Sequence, residues 1–134
     1  MSRLRLAVIG AGHLGRIHTR LASEREDVEL VAVVDPIATA RGDLARQFQV
    51  RGVADVQSIQ DSIDAAIIAT PTQFHYSVAR DLIELGIHCL VEKPITTTVA
   101  EADALIIAAR RRGVVLQVGH VERFNPAVAA IKAE

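Results

Sequence analysis

Apolar residues along the chain are grouped in short runs that alternate with amphipathic stretches, a pattern typical of alternating strands and helices. After Asp64, the run to Ala69 is apolar throughout, as expected for a central parallel strand covered on both faces. Predicted strands lie at 3–9, 29–34, 51–53, 64–69, 88–91 and 114–118, and predicted helices at 13–23, 37–48, 74–85 and 99–112. We predict an α/β fold: a doubly wound, mostly parallel sheet of about six strands with helices on both faces.

Helical spacing of apolar side chains supports two of these helices. The first carries Leu14, Ile17 and Leu21, and the second directs Leu44, Ala45 and Phe48 inward. The third is predicted to end at Gly86, a residue suited to the C-cap position.

A glycine-rich turn joins the first predicted strand to the first predicted helix. Gly10 permits the bend, Gly12 lets the backbone approach a pyrophosphate, and Gly15 lets the helix pack closely on the strand. The helix begins at His13 and Leu14, where free N–H groups and the positive end of the helix dipole favour an anion. The turn therefore predicts a dinucleotide site of the Rossmann type.

An acidic residue completes that site. Asp35 ends the second predicted strand, a little over 20 residues beyond the glycines, where a carboxylate can accept hydrogen bonds from both ribose hydroxyls of an adenosine and would repel a 2′-phosphate. Alternatively, Asp35 is only a turn residue before Pro36. A ribose contact at Asp35 favours NAD over NADP.

The composition narrows the class of protein. The chain has 134 residues, enough for one domain with a sizeable core, and a formal net charge of −1 at pH 7. Interspersed charges offer no basic face for nucleic acid and no polybasic patch for a membrane, and no apolar run is long enough to span a bilayer. Cys89, the single cysteine, lies in an apolar run and predicts a buried thiol. We expect a cytoplasmic protein whose partners are small molecules or proteins.

Three later strand ends carry polar side chains. Thr70, Pro71 and Thr72 follow the fourth strand, where the loop would lie beside the nicotinamide half of a dinucleotide. Thr72 alternatively caps the next helix. His75 either touches cofactor or substrate, or has a structural role.

The segment after the fifth strand reads Glu92-Lys93-Pro94. A lysine there can hold a substrate hydroxyl and stabilise negative charge on its oxygen as a hydride leaves. Glu92 could bind a ribose hydroxyl or pair with Lys93, and a surface Glu-Lys pair before a proline turn is the structural alternative.

The segment 119–126 follows the sixth strand and includes His120, Glu122 and Arg123. The last two residues of this segment need no ligand to explain them, because Asn125 can cap a helix whose first residue is Pro126. His120 and Glu122 alone lack the spacing of a metal site, so we predict no metal.

Together these motifs resemble the Gfo/Idh/MocA oxidoreductase family. The resemblance rests on the glycine turn with His18 three residues further on, on the Thr-Pro-Thr segment with His75, on Glu92-Lys93-Pro94, and on the Arg-Phe-Asn-Pro sequence of 123–126. It implies an NAD-dependent sugar dehydrogenase. The cofactor would be bound by Gly10, Gly12, Gly15, Asp35, Thr70, Pro71, Glu92 and Lys93. Lys93 would contact the reacting hydroxyl. The sequence of 119–126 resembles that of the branch acting at C3 of UDP-N-acetylglucosamine-type substrates, with His120 and Arg123 as substrate contacts.

The resemblance also sets expectations about domains. Residues 1–120 would form the dinucleotide-binding domain, and 121–134 would begin the crossover to a second α/β domain absent from this chain. That domain would supply most of the substrate pocket, a histidine base and homo-oligomer contacts, so the chain alone would bind NAD but turn over poorly. The alternative function is a stand-alone NAD-sensing module, which Lys93 and Arg123 argue against.

Overall fold

A computed structural model of the chain describes residues 2–133, which form a six-stranded parallel sheet between two layers of helices. The strands are β1 (Leu4–Ile9), β2 (Val28–Val34), β3 (Arg51–Val53), β4 (Ala65–Ile68), β5 (His88–Val91) and β6 (Leu116–Val118). The helices are α1 (His13–Ser23), α2 (Ala38–Phe48), α3 (His75–Glu84), α4 (Val99–Arg112) and α5 (Pro126–Ala133). The strand order is β3-β2-β1-β4-β5-β6, which confirms the doubly wound fold.

The centre of the sheet is its most deeply buried part. In β1, Ala7 and Val8 have no exposed surface, and the paired strand β2 buries Ala32 and Val33 to the same degree. Strands covered on both faces need apolar side chains, as residues 6–9 and 30–34 show, whereas Arg5 and Glu29 lie nearer the less buried amino ends of these strands. The chain order reverses direction across the sheet between β1 and β4, so a crevice opens at the carboxyl ends of these two strands.

The predicted helix α1 is confirmed, but the leucines whose spacing indicated it are not its buried residues. Leu14 and Leu21 are 43% and 47% exposed, whereas Gly15, Thr19 and Ala22 are the buried residues. The helix follows a tight turn and approaches the sheet closely, and only small side chains fit between them.

The predicted helix ends are mostly confirmed. Gly86 follows α3 with a φ of 77°, and the side chain of Asn125 accepts a hydrogen bond from the N–H of Ala127 at the start of α5. Thr72 does not cap α3. It begins a 3-10 turn, Thr72–Phe74, that precedes the helix, and no side chain among residues 2–133 caps that helix.

Beyond β6 the chain continues as a 3-10 turn, Val121–Phe124, and then as α5, of which no residue is buried. The domain boundary expected at residue 120 stays a prediction, and Glu134 lies outside the described residues. Among residues 2–133, no helix is long and apolar enough to cross a membrane.

We expect Cys89 to resist alkylation while the protein is folded. Its side chain lies in the core, and burial raises the pKa of the thiol to about 12, so the reactive thiolate is scarce at pH 8. Iodoacetamide labelling followed by mass spectrometry should be slow in buffer and fast in denaturant, where the thiol regains its ordinary pKa. Equally fast labelling in both conditions would contradict the buried position.

Candidate functional site

A cleft of about 820 Å³ opens at the carboxyl ends of the central strands. The glycine turn after β1, the end of β2 and the loop after β4 form its walls. The size and the largely apolar lining with a few polar groups are typical of a site for a small molecule. Its position is where doubly wound sheets bind their ligands.

The glycine turn has two glycines that the fold requires and one that it does not. Gly10 has a φ of 104°, and a Cβ there would lie 2.6 Å from the carbonyl oxygen of Ala69. A Cβ on Gly15 would collide with the carbonyl oxygen of Gly10. At Gly12, by contrast, a Cβ would meet no described atom within 4 Å. The space above Gly12 is therefore open to a ligand.

Backbone donors face that space. Gly12 is the N-cap residue of α1, and no side chain among the described residues caps this helix end. The N–H groups of the first turn and the helix dipole thus form an anion site beside the cleft.

Asp35 is held in place by two backbone groups. Its Oδ2 accepts the N–H of Ala11 at 2.9 Å, and its Oδ1 accepts the N–H of Ile37 at 2.8 Å. Each carboxylate oxygen can accept a further hydrogen bond. Asp35 lines the cleft with its orientation already fixed, so it fits the predicted contact with a pair of ribose hydroxyls.

Thr70 offers a separate indication of a ligand. Its Oγ1 is buried and has no hydrogen-bond partner among the described residues, although the residue lines the cleft. A buried hydroxyl without a partner is costly, and a bound polar group would satisfy it. The orphaned hydroxyl, the open space at Gly12 and the fixed carboxylate of Asp35 together fit a dinucleotide.

The structure separates the predicted cofactor residues into two groups. Those that line the cleft are Gly10, Gly12, His13, Leu14, Asp35, Thr70 and Pro71. Those that do not are Gly15, Thr72, His75, Glu92 and Lys93.

His75 has a structural position. The residue is 1% exposed, with Nδ1 2.9 Å from the carbonyl oxygen of Pro94 and Nε2 2.8 Å from that of Thr70. A ring whose two nitrogens both face backbone carbonyls has none left for a ligand. This position favours the structural alternative for His75, a link between the loops after β4 and β5, over a contact with the cofactor.

Part of the cleft was not predicted from the sequence. The segment after β3 and residues of α3 and its two ends complete the walls. Their lining residues are Ala54, Asp55, Val56, Gln57, Gln60, Phe74, Val78, Asp81, Leu82 and Leu85. The available signal was the position of 54–57 directly after a predicted strand, since parallel strands all end at the same edge.

Glu92 and Lys93 differ from the surface pair considered above. The Glu92 carboxylate is buried, with Oε1 2.6 Å from Nε2 of His18 and Oε2 accepting the backbone N–H of Lys93 at 3.2 Å. The Lys93 side chain is exposed and, within residues 2–133, its ammonium has no ion-pair partner. The pairing of Glu92 with the Lys93 ammonium is therefore wrong.

The last predicted site residues lie after β6. His120 and Arg123 are both exposed, at the beginning and within the 3-10 turn Val121–Phe124. The described residues contain no cluster of three or more His, Cys, Asp or Glu side chains that could hold a metal ion.

Comparison with known proteins decides the family. The profile of the Gfo/Idh/MocA oxidoreductase family, described as an NAD-binding Rossmann fold, matches residues 4–120. The chain belongs to this family.

Several Gfo/Idh/MocA relatives are dehydrogenases of sugars or polyols by name. A UDP-N-acetylglucosamine 3-dehydrogenase of Acidithiobacillus ferrooxidans is 38% identical over 98% of this chain and 42% of that protein, and its structure matches with a TM-score of 0.91 over 99% and 43% of the two chains. A scyllo-inositol 2-dehydrogenase (NAD(+)) of Bacillus subtilis is 34% identical over 97% and 39%.

A third relative was solved with the cofactor. The structure of GenD2 from gentamicin A biosynthesis, in complex with NAD, is 34% identical, with a TM-score of 0.86, over 89% of this chain and 35% of that chain. The chain thus spans less than half the length of these Gfo/Idh/MocA proteins.

The strand register places the remaining polar residues of this Gfo/Idh/MocA domain in a row. Ile68 at the end of β4 pairs with Val91 at the end of β5, and Val91 pairs with Val118 at the end of β6. Thr70, Lys93 and His120 each follow two residues after these paired positions. These three residues therefore follow the carboxyl ends of neighbouring strands at one edge of the sheet, and of the three only Thr70 lines the cleft.

Proposed function

We propose that this chain holds NAD in the cleft and presents Lys93 to a sugar or nucleotide-sugar hydroxyl whose carbon exchanges a hydride with NAD. The observation that carries the proposal is the juxtaposition at one sheet edge. Thr70, which lines the cleft, and Lys93, which is exposed and unpaired among the described residues, follow neighbouring paired strands. A cofactor site and a free cation are what such a reaction requires.

The pyrophosphate is proposed to lie over Gly12, where the open space meets the N–H groups of the first turn of α1. Asp35 would accept hydrogen bonds from the adenosine ribose, and the orphaned hydroxyl of Thr70 would meet a polar group further along the cofactor. The apolar residues Val56 and Val78 leave room for a flat base in the part of the cleft beyond β3.

Asp35 supports a preference for NAD over NADP. Its negative charge is fixed beside the cleft by the N–H groups of Ala11 and Ile37, so it cannot turn away from a 2′-phosphate without losing both hydrogen bonds. A phosphate there would be repelled, while two hydroxyl donors would be accepted.

Replacing Asp35 with alanine should raise the Kd for NAD about 10- to 100-fold, because hydrogen bonds to a charged group contribute about 1.5–3 kcal/mol. The Kd for NADP should change less, so the preference for NAD over NADP should become smaller. Calorimetric titrations with both dinucleotides measure this. Asp43→Ala removes an exposed carboxylate from α2 and serves as the control, with no change expected. An unchanged preference in Asp35→Ala would show that another residue reads the ribose.

Lys93 is the residue to which we assign the chemistry. Its ammonium would donate a hydrogen bond to the substrate oxygen and stabilise the negative charge that develops there as the hydroxyl proton passes to a base, the histidine expected in the second domain. When bound, NAD supplies the nicotinamide ring that accepts the hydride from the carbinol carbon. Lys93 thus lowers the barrier without changing its own protonation.

The proposed substrate is a UDP-N-acetylglucosamine-type nucleotide sugar that reacts at C3. His120 and Arg123 support this choice, because both are exposed next to the strand end that carries Lys93. The guanidinium of Arg123 suits a diphosphate, and His120 suits a sugar hydroxyl. A relative with 38% identity carries the name UDP-N-acetylglucosamine 3-dehydrogenase.

The expected partners are few. We propose that the full-length protein is a cytoplasmic homo-oligomer that assembles through a second domain, with the sugar substrate and NAD as its ligands. The near-neutral charge supports the absence of nucleic acid from this set.

Two measurements test the proposed function. Calorimetry of this chain with NAD should show binding, and absorbance of reduced nicotinamide should rise when the full-length protein meets NAD and UDP-N-acetylglucosamine, but not free N-acetylglucosamine. No NAD binding at millimolar concentration would overturn the proposal. Binding without turnover of any sugar would instead favour the NAD-sensing module.

A further inference from the structure

The contact between His18 and Glu92 joins two parts of the site that are 74 positions apart in the chain. His18 lies on α1, one turn beyond the glycine turn, and Glu92 is the first residue after β5. Their side chains are 18% and 9% exposed, and the Nε2 to Oε1 distance is 2.6 Å. Neither residue lines the cleft.

A buried carboxylate is costly unless it is paired and hydrogen-bonded. Glu92 meets this requirement through both of its oxygens, since Oε1 contacts His18 and Oε2 accepts the N–H of Lys93 at 3.2 Å. Its own N–H donates to the carbonyl oxygen of Ile68, which fixes the backbone to the end of β4. All the described polar contacts of Glu92 thus lead to backbone or to His18, and none to the solvent side of the site.

The surroundings leave the carboxylate little freedom. A Cβ built on Gly119 would lie 3.1 Å from Oε2, 3.2 Å from Cδ and 3.3 Å from Oε1 of Glu92. Gly119 is itself held by a hydrogen bond from its N–H to the carbonyl oxygen of Val91. The close approach of this backbone on one side and of His18 on the other keeps the carboxylate in one orientation.

We infer that His18 and Glu92 form a positioning pair that fixes the backbone of Lys93 relative to the helix beside the glycine turn. This inference rests on the proposed function, in which the Lys93 ammonium must meet an oxygen next to a dinucleotide held by that turn. Loss of the pair releases the Lys93 N–H and lets the strand end move. A displacement of about 1 Å at a reacting group costs about 100-fold in rate.

Kinetics of the full-length protein provide the first test. Glu92→Ala should lower kcat about 10- to 100-fold and leave the KM for NAD nearly unchanged. Glu92→Gln should recover most of that loss, because an amide can accept the Lys93 N–H with its oxygen and donate to His18 with its nitrogen. Equal losses in kcat and in NAD affinity, or no recovery in Glu92→Gln, would overturn the inference.

A second test needs no turnover, because Lys93 and Lys132 are the only lysines in the sequence. In the 134-residue chain labelled with ¹⁵N-lysine, the amide signal of Lys93 reports its hydrogen bond to Glu92, and that of Lys132 is an internal reference. His18→Ala should shift the Lys93 signal and speed its hydrogen exchange, whereas His18→Gln, which can still donate to Glu92, should keep both close to those of the unmodified chain.

The two tests also separate the pair from the proposed function. An unmodified protein that fails to oxidise any sugar would refute the function, while the amide signals would still measure the pair. An unmoved Lys93 amide in His18→Ala, with the fold retained by circular dichroism, would overturn the inference whatever the activity.

Discussion

Replacing Lys93 with alanine is expected to lower kcat of the full-length protein about 100- to 1000-fold, the usual cost of removing one group that stabilises a developing oxyanion. The Kd for NAD should stay within about twofold, since the interaction is made in the transition state. Lys93 does not line the cleft assigned to the dinucleotide. Initial rates with saturating NAD and calorimetric titrations of the same variant measure the two effects.

The second lysine provides the control. Lys132 is exposed on α5, and Lys132→Ala removes the same charge away from the proposed reacting centre, so its rate should not change. An equal loss of NAD affinity and of kcat in Lys93→Ala would instead make Lys93 a cofactor-binding residue. Normal turnover would remove it from the mechanism.

The sequence predicted those parts of the site that depend on local geometry. A strand, a tight turn and a helix follow from consecutive residues, so Gly10 and Gly15 could be assigned before any contact was known. The position of Asp35 follows from the length of one β-α-β unit. The doubly wound arrangement also follows, because right-handed crossovers leave few arrangements for six parallel strands.

Contacts between distant segments could not be predicted in the same way. The spacing of Leu14 and Leu21 predicted the helix α1 but not its buried residues, because the close approach of this helix to the sheet selects the small residues Gly15 and Ala22. The roles of polar residues are harder still to predict, because a histidine that binds a ligand and one that faces backbone carbonyls look the same in the sequence. Only the fold shows that His75 is buried.

Gly15→Ala should destabilise the fold strongly. The new Cβ would overlap the carbonyl oxygen of Gly10, and since that atom belongs to the backbone, the whole turn must shift. We expect a loss of at least about 3 kcal/mol in the free energy of unfolding and a fall of about 10 °C in Tm. Urea unfolding followed by circular dichroism measures it. A change below about 1 kcal/mol would show that the turn adapts, contrary to the packing described.

Gly12→Ala is the matched substitution, three residues earlier in the same turn. A Cβ there meets no described atom within 4 Å, and Gly12 has a φ of −78°, which any residue adopts. Stability should therefore change by less than about 1 kcal/mol. The methyl group would instead occupy the space assigned to the pyrophosphate and raise the Kd for NAD at least about tenfold. If Gly12→Ala binds NAD normally, the pyrophosphate does not lie over this turn, because packing alone gives no reason for glycine at this position.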